Sequence, residues 1–298
     1  MQEPDKAMSH KQRERLVYIE FRLYFLGEVR RADLMARFGV GPAVATRDFA
    51  LYRELAPENL TLNTSTKAYE TGQNFVALYE HSLSQVLAAL TQGEGYGVTS
   101  HGDAMLPCEF PVALNRVSIP ILAAVTRAIH LKKVLKIVYH STSSGEVTRS
   151  VVPFAIVDTG LRWHARAFDR KSGEFRDFVM TRMLSAEIVD SEIAQLKERM
   201  EEDREWMRVI ELELIPHPAQ ADHKIAELDY GMVNGELKLS VRAANAGYIL
   251  RRWSVDCSSD HYLRGGEYRL ALKDPMVLYR VDSARLAPGY YKVHPQLI

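Results

Sequence analysis

The sequence predicts an α+β protein of several domains, with a helical N-terminal third, a small β-barrel in the middle and a mixed C-terminal part. Three observations support this prediction. Apolar residues recur at helical spacing before residue 60, hydrophobicity alternates with period two through residues 134–189, and strand-like and helix-like segments alternate after residue 208. The 298 residues suffice for two or three domains of ordinary size.

The composition is that of a soluble globular protein, with 47% hydrophobic and 26% charged residues. The formal net charge is +0, so any nucleic-acid-binding surface must be a local patch. No apolar run approaches the length of a membrane span and the N-terminus lacks a signal-peptide pattern, so we expect a cytoplasmic protein without membrane contact. Cys108 and Cys257 have no metal-ligand spacing, so we expect reduced thiols, no metal and no cofactor.

The first 55 residues follow the helix-turn-helix plan. An amphipathic helix is predicted from Lys11 to Leu26, ended by Gly27, and a short second helix from Arg31 to Phe38. After a glycine-containing turn, Pro42 fits the first turn of a third helix that runs to about Leu55.

The third helix has two different faces. Ala45, Phe49 and Tyr52 share one side and should pack on the other helices. The opposite side, near the N-terminal end, is where a recognition helix reaches base edges. The candidate DNA-binding residues there are Pro42, Ala43, Val44, Thr46 and Arg47. Thr46 and Arg47 suit phosphates or bases, the small Ala43 and Val44 permit close approach, and Asp48 is expected to orient an arginine.

A wing is predicted after the third helix. Leu60–Asn63 and Lys67–Glu70 form a hairpin around residues 64–66, and Ser65 and Lys67 would contact phosphates or the minor groove. The alternative is a three-helix protein–protein module. The charges leave both open, because residues 1–60 hold ten Lys and Arg against nine Asp and Glu.

Residues 74–90 read as one helix, and residues 93–120, rich in glycine and then proline, read as a linker. A His101 and Asp103 pair and a Cys108 and Glu109 pair in that linker resemble a dyad only superficially. Metal-ligand spacing, a phosphate-binding glycine loop and a nucleophile motif are all missing from the sequence. We therefore expect no catalytic residues and no enzyme.

The middle of the chain predicts a helix and a five-stranded barrel. The helix spans Ile121–Leu131, and the strands span Val134–His140, Thr148–Ile156, Arg162–Asp169, Phe175–Met180 and Leu184–Val189, the last closing the barrel. In the third strand Arg162, His164 and Arg166 share one face. Two guanidinium groups and an imidazole suit a pocket for an anion, although a solvated sheet face is the alternative. Trp163 and Phe178 are expected in the core.

This stretch resembles the WYL domain, a small Sm-like β-barrel found mostly in bacterial transcription regulators. Trp163-His164-Ala165 stands where that family has Trp-Tyr-Leu, so the Trp alone is kept. The motif Arg-Trp-His-x-Arg-x-Phe, followed by Phe-Arg-Asp-Phe, is similar to WYL repressors beside phage-defence systems of the BREX and CBASS type. The resemblance implies a ligand-binding face made of Tyr139, Ser141, Ser143, Arg149, His164, Arg166, Arg176 and Arg182.

The remainder predicts a charged linker helix over Ser191–Met207 and then a compact α+β domain. Its strands span Val209–Ile215, Glu236–Arg242 and Glu267–Leu272, and its helices span Ala219–Leu228 and Asn245–Arg252. The phrases at residues 215–218, 229–232 and 253–257 resemble the C-terminal extension of the defence-associated WYL repressors, which implies dimerisation.

Together these observations divide the chain into a winged helix-turn-helix domain with a trailing helix (1–95), a linker and helix (96–132), a WYL domain (133–190), a linker helix (191–207) and a C-terminal dimerisation domain (208–298). The resemblance implies a homodimeric repressor that binds a palindromic operator in double-stranded DNA. A nucleotide or oligonucleotide effector in the arginine pocket would modulate it. The alternative is an accessory protein whose barrel binds single-stranded nucleic acid and whose N-terminus binds a protein partner.

Overall fold

The computed structural model describes residues 8–93, 104–110 and 114–290. The chain forms two compact units, residues 1–112 and 113–298. Among the described helices, none combines the length and the apolar character needed to cross a membrane. Within the same residues, His, Cys, Asp and Glu side chains form no group of three or more that could hold a metal ion.

The first unit contains the three predicted helices within a residue or so of their predicted bounds. In chain order its elements are α1 (His10–Leu26), β1 (Glu28–Val29), α2 (Arg31–Phe38), α3 (Pro42–Leu55), β2 (Leu60–Asn63), β3 (Ala68–Thr71) and α4 (Leu83–Gln92). Gly27 ends α1 in the left-handed conformation (φ 81°), which costs glycine no Cβ clash. Leu16, Ile19, Phe49 and Tyr52 are buried at the centre of the helices.

The predicted hairpin is confirmed, with Leu60 to Asn63 paired antiparallel with Thr71 to Ala68. A third strand, β1, joins it, so the sheet order is β1-β3-β2. The sequence did not reveal β1, because two residues are too few to show an alternating pattern.

The predicted helix over residues 74–90 is wrong in its first half, because the structure has a helix only over Leu83–Gln92. Fully buried Glu20 accepts the backbone N–H groups of Leu78 (2.8 Å) and Tyr79 (2.9 Å). The side chain of Asn59 likewise accepts the N–H of Val76 (2.9 Å). Because side chains distant in the sequence accept these N–H groups, residues 76–79 adopt an irregular conformation, although their apolar residues have helical spacing.

The second unit begins with α5 (Ile119–Leu131) and a sheet of β4 (Lys133–Ser141), β5 (Gly145–Asp158), β6 (Trp163–Asp169), β7 (Glu174–Val179) and β8 (Met183–Ile193). All five predicted strands are confirmed, and they pair antiparallel in the order β7-β6-β5-β4-β8. One face packs on α5 through Val125 and Ala128. Strand β8 pairs antiparallel with β4, and closure of the barrel by this fifth strand stays a prediction.

The predicted linker helix over Ser191–Met207 is wrong. Strand β8 continues to Ile193, two short 3-10 turns follow, and only α6 (Arg204–Met207) is helical. Buried Glu198 and Asp203 bind Arg170 and Arg166 of the sheet, each with an N–O distance of 2.8 Å. In a continuous helix, side chains five residues apart point about 140° away from each other. An irregular backbone lets both carboxylates face the sheet.

The C-terminal part consists of β9 (Val209–Pro216), α7 (His223–Asp229), β10 (Leu237–Arg242), α8 (Ala243–Arg252) and β11 (Leu270–Leu272). Its strands pair antiparallel in the order β10-β9-β11, and Ala246 and Leu250 of α8 pack in the core with them. The predicted mixed α+β architecture is confirmed. Helix α7 begins four residues after the predicted start because Asp222 accepts the backbone N–H of Lys224 and caps it.

A buried aspartate organises the loop between α8 and β11. Asp256 accepts hydrogen bonds from the hydroxyl (2.6 Å) and N–H (2.8 Å) of Ser258 and from the N–H of Leu263 (2.9 Å). Nδ1 of His217 accepts the N–H of Ala219, so Nε2 carries the proton and donates to Asp256 (3.1 Å). Burial alone would raise the pKa of Asp256, but these hydrogen bonds outweigh it and hold the pKa below its ordinary value.

We therefore predict an acid-dependent loss of stability in the second unit. A depressed carboxyl pKa contributes stability that is present above the ordinary value of about 3.9 and is lost as the pH falls toward the folded-state pKa. Asp256→Asn should lower the free energy of unfolding at pH 7 by about 1–3 kcal/mol. Below about pH 4, the free energy of unfolding should fall less in this variant than in the wild type. Urea unfolding followed by tryptophan fluorescence measures this, since Trp163, Trp206 and Trp253 all lie in the second unit.

Asp260→Asn is the matched control, because Asp260 lies in the same loop and is exposed. Asp260→Asn should have the same free energy of unfolding as the wild type at pH 7 and below about pH 4. Equal pH dependence of the wild type and Asp256→Asn would show that Asp256 does not carry the acid sensitivity.

Candidate DNA-binding surface and ligand cavity

The two faces of α3 are as the sequence predicted. Ala45, Phe49 and Tyr52 are buried against the other helices. The predicted DNA-binding residues are on the outside: Pro42, Ala43, Thr46 and Arg47 are exposed and Val44 is half-buried. Arg47 makes no hydrogen bond or ion pair with any described residue, so its guanidinium group is available to a partner.

Asp48 is turned into the unit although it follows Arg47 in the sequence. Its carboxylate is 1% exposed and accepts from Nε of Arg15 at 2.6 Å. A second nitrogen of Arg15 and the amide of Gln12 also donate to it, each at 3.2 Å. The prediction that Asp48 orients an arginine is confirmed, and its negative charge is kept away from the outer face of α3.

Arg31 joins this outer face, which the sequence did not reveal. Its guanidinium group donates to the hydroxyl of Thr46 (3.3 Å), and that hydroxyl donates to the carbonyl of Pro42 (2.9 Å). Arg31 is exposed at the first position of α2. The α2–α3 turn brings it beside a residue fifteen positions later, a proximity that helical periodicity within either helix does not encode.

The hairpin tip presents the two predicted wing residues, Ser65 and Lys67, to solvent. The side-chain oxygen of Asn63 accepts the backbone N–H groups of Ser65 (3.0 Å) and Thr66 (3.2 Å), which fixes the turn. Lys67 has a left-handed backbone (φ 55°). The tip is therefore an ordered loop that carries exposed hydroxyl side chains and one ammonium group.

A cavity of about 750 Å³ lies in the second unit. It brings together all eight residues predicted for ligand binding, which are Tyr139, Ser141, Ser143, Arg149, His164, Arg166, Arg176 and Arg182. The polar face of β6 therefore borders a concave space and is not simply a sheet surface open to solvent. Occupation of that space by a ligand stays a prediction.

Three arginines of this set already bind carboxylates of the chain. Arg149 donates to Asp169 at 2.8 Å, and Arg176 donates to Glu174 at 2.7 Å. Arg166 binds Asp203 through Nε (2.8 Å) and Nη2 (3.1 Å) and Asp177 through Nη1 (3.2 Å). Burial tends to lower the pKa of Arg166, and the two carboxylates raise it above its ordinary value. Arg166 therefore remains charged while its donors are engaged inside the protein.

Four further arginines of the lining have no carboxylate partner among the described residues: Arg162, Arg182, Arg251 and Arg285. Arg251 lies on α8, and Arg285 lies in a 3-10 turn over Asp282–Leu286. Arg251 and Arg285 are not among the residues that the sequence predicted for ligand binding. Nothing in their local pattern marks them, since only the packing of the C-terminal part against the sheet brings them to the cavity.

His164 and Tyr248 connect the two sides of the cavity. Their ring centroids are 5.2 Å apart, and the Tyr248 hydroxyl donates to Asp177 at 3.1 Å. Burial raises the pKa of Tyr248. Burial also lowers the pKa of His164; the charge of Asp177 and a contact with the Arg162 backbone raise it, and burial together with the positive charges of Arg162 and Arg182 outweighs them. His164 is therefore neutral at pH 7, and its Nδ1 is buried without a hydrogen-bond partner among the described residues.

The expectation for the two aromatic residues was half right. Phe178 is buried in the core with 5% exposure, as predicted, but Trp163 is 44% exposed. Trp163 is the first residue of β6, next to the turn at Gly160, where the sheet ends and little packs over the ring.

The linker holds the two pairs that superficially resemble a dyad. Cys108 and Glu109 are exposed, whereas His101 and Asp103 lie outside the described residues.

The chain consists of a winged helix, a five-stranded sheet with an arginine-lined cavity, and a mixed C-terminal domain. This order of domains defines a WYL-domain transcription regulator. The comparisons with family models agree. Residues 11–92 match the winged helix-turn-helix domain of the BrxR transcriptional regulator, residues 120–188 match the WYL domain, and residues 209–278 match the BrxR C-terminal dimerization domain.

Curated relatives cover nearly the whole chain. The DNA-binding transcriptional repressor CapW of Escherichia coli (strain KTE188) is 30% identical, over 93% of this chain and 96% of its own. CapW of Pseudomonas aeruginosa is 31% identical over 80% and 81% of the two chains, and CapW of Stenotrophomonas maltophilia is 28% identical over 82% and 84%. The chain therefore belongs to the CapW family.

Proposed function

We propose that this protein is a homodimeric, sequence-specific DNA-binding transcriptional repressor of a bacterial phage-defence locus, modulated by an anionic, nucleotide-like ligand in the WYL domain. The observation that carries the proposal is the outer face of α3. It presents Arg47 without an internal partner, beside Thr46 and Arg31, and turns Asp48 away. The relatives named as DNA-binding transcriptional repressors, and the match to a winged-helix model, support it.

The mode of DNA binding follows from this face. The N-terminal end of α3 enters the major groove, where Arg47 donates to a guanine edge or a phosphate and Ala43 contacts a base methyl group. Lys67 at the wing tip binds a phosphate, which positions the domain without reading sequence. In a two-fold dimer formed by the C-terminal domain, two such helices read a palindrome with half-sites one helical turn of about 34 Å, or a multiple of it, apart.

The cavity supports the ligand part of the proposal. Its volume of about 750 Å³ suits a small organic anion of nucleotide size. Guanidinium groups match phosphate oxygens in pairs. A ligand changes operator affinity only if it binds the DNA-competent and DNA-incompetent states with different affinities. Repression is lifted when the ligand favours the state that cannot bind both half-sites.

A titration of operator DNA tests this function. Purified protein is added to a fluorescent duplex spanning the region upstream of its own gene and to a shuffled duplex, at physiological salt. We expect a dissociation constant of about 10⁻⁸ M or below for the first and binding at least about a thousandfold weaker for the second. Equal affinities for the two duplexes would remove the claim of sequence-specific binding.

A second function is favoured by the exposed Trp163 beside Arg162. An aromatic ring next to arginines is a platform on which unpaired bases stack, so the WYL domain of an accessory protein would itself bind single-stranded nucleic acid. In that case Arg47→Ala leaves all nucleic-acid binding unchanged, and a single-stranded oligonucleotide competes for the duplex-binding site.

A further inference from the structure

We propose that the C-terminal domain supplies half of the ligand site, so that a ligand with two or more phosphate groups is bound by Arg162 and Arg182 of the WYL domain and by Arg251 and Arg285 of the C-terminal domain. This inference rests on the proposed ligand-binding role of the cavity. It adds the residues that hold the ligand, the minimum number of anionic groups and the domain that senses occupancy.

The lining of the cavity carries an excess of positive charge. Once the ion pairs of Arg149, Arg166 and Arg176 are set aside, four arginines and two carboxylates, Glu205 and Asp282, remain. Burial raises the pKa of Glu205, and its carboxylate already accepts the backbone N–H of Asp282 (3.0 Å). Four guanidinium groups around one space repel one another unless an anion lies between them. The lining therefore favours an anion with more than one charge.

Arginines of both domains lie near the rings of His164 and Tyr248. Arg162 and Arg182 act electrostatically on His164, and Arg285 acts on Tyr248. The two rings are 5.2 Å apart, so Arg162 and Arg182 of the sheet and Arg285 of the C-terminal domain lie near one small region. Arg251 follows Tyr248 by three residues on α8, which places the two side chains on the same side of that helix. One phosphate group engages one or two guanidinium forks, so four forks suit at least two phosphates.

His164 brings a polar ring to the wall of the cavity. His164 is 5% exposed and borders the cavity; its ring lies close enough to the backbone of Arg162 for that contact to raise its pKa, while its Nδ1 makes no hydrogen bond of good geometry among the described residues. A buried polar atom without a partner costs about 1–3 kcal/mol, and a ligand hydroxyl or ring nitrogen in the cavity would remove that cost. The site thus offers the ligand a neutral polar contact besides the phosphate contacts.

The two domains are tightly apposed beside this site. A Cβ built on Gly160, in the turn between β5 and β6, would lie 2.3 Å from the guanidinium carbon of Arg252 on α8. Asp177 of β7 accepts both from Arg166 and from the hydroxyl of Tyr248 on α8. A ligand that binds arginines on both sides must therefore fit between α8 and the sheet, and its binding bears directly on the domain that dimerises.

Calorimetric titration tests this with four proteins: the wild type, Arg251→Gln/Arg285→Gln, Arg162→Gln/Arg182→Gln and the control Arg264→Gln. Arg264 is exposed in the C-terminal domain and donates only to nearby carbonyls. The probes are inorganic phosphate, inorganic triphosphate, a nucleoside triphosphate and a single-stranded tetranucleotide. The wild type and control should bind the multi-phosphate probes at least about tenfold more tightly than phosphate, and each double variant should lose about tenfold or more.

The outcomes are distinguishable. If Arg251→Gln/Arg285→Gln binds like the wild type while Arg162→Gln/Arg182→Gln does not, the C-terminal half of the site is refuted and the WYL ligand site stands. If the wild type binds none of the probes, the ligand site and this inference both fail, while operator binding remains unaffected as a test of the repressor function. Preference for the nucleoside triphosphate over the tetranucleotide, or the reverse, identifies the source of the phosphates. Retained operator binding by each variant shows that it is folded.

Discussion

Replacing Arg47 with alanine is expected to weaken operator binding about tenfold to a hundredfold, which corresponds to the loss of about 1–3 kcal/mol from one good arginine contact. The fold should not change, because Arg47 is exposed and makes no contact with a described polar partner. The measurement is an anisotropy titration with the operator duplex, with circular dichroism to show that the helices are retained. If Arg47 reads a base, the variant also discriminates less at one operator position. If Arg47 binds a phosphate, affinity falls evenly for all sequences.

Arg53→Ala is the matched control for Arg47. Arg53 is also an exposed arginine on α3, but it lies near the C-terminal end and stacks 5.6 Å from the ring of Tyr69. It should retain affinity within a few-fold of the wild type. Equal losses in both variants would indicate a general effect of positive charge and not a contact at the N-terminal end of α3.

The largest loss of stability is expected for Asp203→Ala. This carboxylate is 2% exposed, binds Arg166 through two hydrogen bonds and caps α6 by accepting the N–H of Trp206 (3.2 Å). Its removal leaves a buried guanidinium group with Asp177 as its remaining carboxylate partner. Removing one partner of a buried ion pair costs about 3–5 kcal/mol, because the other charge stays buried. Replacing the whole pair by apolar side chains costs much less.

Urea unfolding measured by tryptophan fluorescence reports this change. Glu202→Ala is the control, since Glu202 is the preceding residue and is exposed. It should change the free energy of unfolding by less than about 0.5 kcal/mol. A loss for Asp203→Ala as small as that of the control would mean that Arg166 is not held by Asp203 in solution.

The helices and strands that local pattern could predict are those whose hydrogen bonds are local or follow a regular ladder. Gly27 ends α1, Pro42 begins α3, and alternation places the strands from β4 to β8. The outer and inner faces of α3 also follow from periodicity alone. In these segments the residue types, the backbone bonds and the burial all favour the same structure, which is why the predictions and the structure agree.

The failures have one physical cause, which is that distant side chains decide the backbone. Residues 76–79 look helical, but Glu20 and Asn59 accept their N–H groups. Residues 194–203 look helical, but Arg166 and Arg170 draw Asp203 and Glu198 to the sheet. The ligand cavity shows the same limit. Period two identified the arginines of the WYL strands, whereas Arg251 and Arg285 reach the cavity through tertiary packing that no local pattern encodes.

Hydroxyl-radical footprinting of the wild-type protein on the duplex upstream of its gene tests the central claim most directly. A dimer that reads DNA with two copies of α3 should protect two equivalent patches on one face of the duplex. Their centres should lie a whole number of helical turns of about 34 Å apart, and at a protein concentration close to the wild-type dissociation constant both patches should be absent in Arg47→Ala. Protection of the duplex that is unchanged in Arg47→Ala at that concentration would contradict the assignment of the N-terminal domain as the operator-binding part.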